Sequence, residues 1–142
     1  MIDIDVDTRA AERFLGDIFD RVDQPRPLLQ LLAGELRAYE EEVFATAGFG
    51  TWAALDPSTV RAKGSSRILV DTAGLLDSLT KPGAERITEE SVTLLSDSPA
   101  AAYLKRGARG MPKRDPAPVP PASKVSEWAQ DLLGYLVNGA GA

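Results

Sequence analysis

The opening residues set Ile2, Ile4 and Val6 between Asp3, Asp5 and Asp7. That period of two predicts a short edge strand with one wet face. Thr8 then stands where an N-cap would. Phe14, Leu15, Ile18, Phe19 and Val22 recur at helical spacing until Gln24-Pro25-Arg26-Pro27 interrupts them, so a first helix of about three turns is expected. A second, longer stripe runs through Leu28, Leu29, Leu32, Leu36, Tyr39 and Val43 to Phe44. It predicts a broad apolar helix face with an acidic outer face at Glu40, Glu41 and Glu42. Ala47-Gly48-Phe49-Gly50 then supplies glycine where a helix end needs a left-handed residue.

The middle of the chain is less periodic. Asp56 or Ser58 can cap a short helix that has Pro57 in its first turn. Residues 67–70 read as a short strand, and residues 72–78, with Leu75, Leu76 and Leu79 at mixed spacing, fit helix or strand, a short helix being preferred. The stretch 87–95 reads as a strand or hairpin arm, flanked by Pro82-Gly83 and by Ser96-Asp97-Ser98-Pro99. A helix from Pro99 to Arg106 is expected to stop at Gly107. Residues 107–122 hold two glycines and five prolines, which excludes regular structure and predicts an extended arm. Ser123 is expected to cap a last helix, with Val125, Trp128, Leu132 and Leu136 on one face and Asn138-Gly139 at its end.

The order strand, helix, helix, strand, helix, strand, helix, arm, helix gives an α+β class. In this reading long N-terminal helices and a C-terminal helix pack on a small mixed or antiparallel sheet. A length of 142 residues suits one domain. Its parts are the strand at 1–7, a core at 8–106, the arm at 107–122 and the last helix at 123–138.

Composition narrows the chemistry. Cysteine and histidine are both absent, which removes disulfides, thiolate nucleophiles, zinc sites of the Cys or His type and histidine acid–base catalysis. No run of 18 apolar residues is present, so no membrane span is expected. The net charge of −5 is unevenly spread. Residues 1–42 carry eleven acids and five bases, whereas Lys105, Arg106, Arg109, Lys113 and Arg114 follow one another with no acid among them.

The motifs that suggest chemistry fall short of it. Asp3-x-Asp5-x-Asp7 alternates as a calcium loop does, but Thr8 and Phe14 stand where that loop needs glycine and glutamate. Lys63-Gly64-Ser65-Ser66 holds the letters of a phosphate loop in the wrong order. Gly48-Phe49-Gly50 lacks the third glycine of a dinucleotide fingerprint and follows a helix, not a strand. Glu40 to Glu42 and Glu89-Glu90 are sequence neighbours rather than two acids facing across a cleft. No catalytic, metal or cofactor site is expected.

Read as one string, the chain from Phe44 carries an ordered set of residues. They are Trp52-Ala53-Ala54-Leu55, Pro57-Ser58-Thr59, Lys63, Ile68-Leu69, Thr72-Ala73-Gly74-Leu75, Ser78 and Ala101-Ala102-Tyr103 up to Gly107. In order and spacing this resembles the phage virion-morphogenesis (tail-completion) family, over roughly Pro27 to Val137. The chain departs from that pattern at Asp56, where the family has serine, and in lacking the phenylalanine of the family's Pro-x-Arg-Pro-Phe arm.

The resemblance implies a non-enzymatic virion protein, assembled in the host cytoplasm and placed in the tail or neck. Such a protein forms a homo-oligomeric ring, six-membered by its position, at the head–tail junction or the top of the tail. Its implied partners are further copies of itself, a neighbouring neck or connector protein, the major tail tube protein, and packaged DNA passing through the ring. The alternative is a DNA-contacting adaptor that uses the basic arm, since several cations on one segment neutralise phosphates. Residues expected to contact a subunit or partner are Lys105, Arg106, Arg109, Pro112, Lys113, Arg114, Pro116 and Pro118 in the arm region, with Glu40 and Glu41 on the acidic face. Trp52, Leu55, Leu75 and Tyr103 are expected in the core.

Overall fold

The computed structural model describes residues 3–5, 7–68, 74–107 and 109–139. Among these, six helices and one two-stranded antiparallel sheet are present, so the chain is α+β, mostly helical. In order they are α1 (Arg9–Asp23), α2 (Arg26–Ala45), α3 (Pro57–Lys63), α4 (Gly74–Thr80), β1 (Glu85–Ile87), β2 (Val92–Leu94), α5 (Pro99–Arg106) and α6 (Ala122–Asn138).

Helix α2 is the axis of the fold, packing against α4, both strands and α6. Its stripe buries Leu29, Ala33, Tyr39, Val43 and Phe44. The core closes where Tyr39, Val43 and Phe44 meet Trp52, Leu79 and Trp128. Aromatic rings set the geometry there. Tyr39 meets Trp128 edge-on at 5.8 Å between centroids, and Phe44 meets Trp52 the same way at 5.4 Å, the arrangement that ring quadrupoles favour.

The end of α2 is unusual. Ala47, Gly48, Phe49 and Gly50 all have positive φ, so a short left-handed stretch follows the right-handed helix. Gly48 N–H donates to Val43 O at 2.7 Å and Ala47 N–H to Phe44 O, the pair of bonds that closes a Schellman cap. The first left-handed residue is therefore Ala47, not a glycine as the sequence pattern suggested. Gly48 is required for a second reason: a Cβ there would lie 2.4 Å from Trp52 Nε1, inside the core aromatic.

Local chemistry accounts for the smaller elements. Asp56 Oδ1 accepts from Ser58 N–H at 2.8 Å, and Gly64 ends α3 in a left-handed conformation. In the hairpin, Ile87 faces Val92 and Thr88 N–H donates to Ser91 O, which leaves Glu89-Glu90 as a two-residue tip. Arg37 on α2 pairs with Glu85 on β1 at 2.6 Å, and that guanidinium holds the Glu85 carboxyl below its ordinary range.

Some expectations are corrected. Of the strand expected at 1–7, residues 3–5 and 7 are not in a strand, and Met1, Ile2 and Val6 lie outside the described residues. Arg67 and Ile68 form no strand; the rest of that stretch, Leu69 and Val70, and the start of the helix expected at 72–78 also lie outside. The last helix begins at Ala122, one residue earlier than expected, without a side-chain cap from Ser123. Thr8 sits at the N-cap of α1, but its hydroxyl bonds Glu12 Oε1 at 2.7 Å rather than a backbone N–H. Trp52 is buried and Leu75 packs on the core, whereas Tyr103 is 59% exposed, because α5 turns Leu104 inward instead.

Candidate subunit-contact site

The Pro-rich segment does not project from the molecule. Arg114 is only 6% exposed, and its guanidinium reaches back 60 residues along the chain. Nε donates to Ala53 O at 2.8 Å and Nη2 to Ala54 O at 3.1 Å. Its own N–H donates to Leu104 O at 2.9 Å, and Trp52 Nε1 donates to Asp115 O at 3.0 Å. Four hydrogen bonds thus staple residues 114–115 between α5 and the loop after α2. A buried cation is stable only when its donors are used, and here carbonyls use them. Arg114 and the buried Pro116 are therefore structural, which corrects the expectation that they meet a partner.

Glu40 is corrected in the same way. It is 4% exposed, its Oε2 has no hydrogen-bond partner among the described residues, and burial pushes its carboxyl up to about 7. The nearby Asp115 carboxylate adds to that rise, and Lys105 opposes it. The signal for burial was present in the spacing. Leu29, Ala33, Leu36, Glu40 and Phe44 follow at steps of four, three, four and four, so Glu40 falls in phase with the apolar stripe. Glu41, one step out of phase, is exposed.

The remaining expected contact residues are at the surface. Lys105, Arg106, Arg109, Pro112 and Lys113 are exposed and Pro118 is half-buried. Lys105 lies 3.9 Å from Asp115 Oδ2, while Arg106, Arg109 and Lys113 are in no ion pair among the described residues. With Tyr103 beside Arg106 one helical turn along α5, they make a cationic surface that carries one exposed aromatic ring.

Sequence reasoning missed that the apolar stripe of α1 is left uncovered. Helix α1 buries none of its residues. Phe19 is 66% exposed, and Phe14, Leu15 and Val22 are each about half exposed. Only Ile18 and Gly16 on its apolar side are partly covered. The helix is held mainly at its last turn, where Arg21 Nη1 donates to Leu136 O at 2.7 Å and to Val137 O at 3.3 Å. That places a cation on the carbonyl end of α6, where the helix dipole favours one. Periodicity predicts an apolar stripe but not whether anything covers it.

A cleft of about 540 Å³ also opens between the left-handed turn, the arm and the start of α6, with Tyr39, Phe49, Trp52 and Val119 along it and Glu42 and Glu127 at its rim. Lys124 in this cleft pairs with Glu127 at 3.2 Å, and that contact, with Glu42 and Glu35 nearby, raises its amine above the ordinary lysine range. No group of three metal-ligating side chains occurs among the described residues, and no helix there is long and apolar enough to cross a membrane. Comparison with protein-family models, with curated proteins and with solved structures finds no match for the chain.

Proposed function

We propose that this chain is a structural subunit of a tailed phage or phage-like particle, which closes into a ring at the head–tail junction or the top of the tail. It acts by protein–protein contact and carries out no reaction. The observation that carries the assembly role is the uncovered face of α1. Four large apolar side chains on one helix, all near half exposed or more, form the kind of surface that marks an interaction site. The place in the particle rests on the sequence resemblance over Pro27 to Val137. In this reading the ring has six copies, touches a neck or connector protein on one side and the tail tube on the other, and surrounds the passing DNA.

A ring needs two unlike patches that meet head to tail around a closed axis, and this chain carries an apolar helix with acidic flanks and a separate cationic surface. The test is light scattering of the purified chain followed by imaging of particles. Rings in particles, and a solution mass several times that of one chain, are the expected result. A protein that is monomeric in solution and present in particles without a ring overturns the reading.

A further inference from the structure

We infer that the exposed stripe of α1 on one copy docks against the cationic surface around Tyr103 on the next, so that these two faces form one head-to-tail contact. This rests on the ring reading above and names the surfaces that make it.

The two faces carry opposite charge. Residues 3–23 hold seven acids against three bases, whereas residues 98–114 hold five bases and no acid. That difference survives internal pairing: Arg9 pairs with Asp7 at 2.8 Å, which still leaves six acids against two bases over residues 3–23. On the other face Arg114 is buried, yet Arg106, Arg109 and Lys113 remain exposed and unpaired among the described residues. Faces of opposite sign on one chain attract between copies and repel like faces, which favours head-to-tail over back-to-back association.

Each face also sets an aromatic ring beside its charges. On α1, Glu12, Phe19 and Asp23 are spaced seven and four apart, so the most exposed aromatic lies on one line between two acids. On α5, Tyr103 and Arg106 are three apart and share a face. Apolar ring against apolar ring, with carboxylates reaching cations at the edge, is the usual plan of an interface with an aromatic centre and a charged rim. An α1–α1 contact would instead set Glu12 and Asp23 against their own copies.

The test uses two full-length variants and their mixture. Phe19→Glu spoils the α1 face, and Arg106→Glu with Arg109→Glu and Lys113→Glu spoils the cationic face. All four positions are exposed, so unchanged circular dichroism is expected for both. Each variant alone is predicted to lose assembly, with an apparent dissociation constant raised at least about tenfold. Mixed, each variant still owns one intact face, so light scattering is predicted to show a complex of two chains and nothing larger. A cationic-face variant that assembles normally, or a mixture that stays monomeric, overturns the inference. If wild-type rings persist in both variants, this contact is wrong and the ring reading stands. If the wild type forms no ring in particles, both fall.

Discussion

Helices α1 and α2 carry the same kind of apolar periodicity and meet opposite fates. In α2 the stripe is covered by α4, the hairpin and α6, and its side chains reach the lowest exposures in the molecule, Ala33 and Val43 among them. In α1 the stripe is as regular, yet none of the helix is buried. An apolar stripe stabilises a fold only by the surface it removes from water, at roughly 25 cal/mol per Å². The stripe of α1 removes little within one chain, which is why it is proposed above as a contact surface.

That contrast can be broken first at the core. Trp128→Ala on α6 removes the edge-on partner of Tyr39 and should lower stability by about 3–5 kcal/mol in chemical denaturation. A loss below about 1 kcal/mol would mean that the aromatic cluster is not the core. Next is the staple of the arm. Arg114→Met keeps the stem but leaves the Ala53 and Ala54 carbonyls without their donors, at about 2–3 kcal/mol. Limited proteolysis should then cut faster around residues 109–121 than it does in the wild-type chain.

Glu40 gives a pH signature. Its folded-state value of about 7 lies above that of the unfolded chain, so the native state binds the extra proton. Stability should therefore fall as pH rises from about 4 to 7 and stay low above that, by on the order of 3 kcal/mol from this group. Glu40→Gln should gain roughly 2 kcal/mol at pH 8 and almost nothing at pH 4. Equal melting shifts at both pH values would remove Glu40 as the cause. The smallest effect belongs to α1, where Phe19→Ala should change monomer stability by no more than about 0.5 kcal/mol, since the ring is mostly in water.

Much of this fold was legible in local patterns. The α2 stripe and the Pro57 and Pro99 starts each follow from chemistry within a few residues, whereas the single arm expected at 87–95 is instead a hairpin of Glu85–Ile87 and Val92–Leu94 that turns at 88–91. The candidate site was less legible because its decisive contacts are distant. Nothing near Arg114 announces that two carbonyls 60 residues earlier will draw it inward, so five prolines and five cations read as a free arm. Glu40 was readable but obscured by its acidic neighbours, which suggested a solvated face where phase indicated burial. Tyr103 was taken as core because a tyrosine beside small residues gives no sign of which side of a short helix faces in. For α1, the periodicity gave the helix but not whether its apolar side is covered within the chain.

The central claim is that the uncovered helix belongs to an assembly. Light scattering of the wild-type chain over a hundredfold range of concentration tests it most directly. A concentration-dependent mass is expected, rising to a fixed multiple of the 15.2 kDa chain and collapsing to one chain in Phe19→Glu. A wild-type mass of one chain throughout together with no ring in particles, or a Phe19→Glu mass equal to that of an assembled wild type, would contradict it.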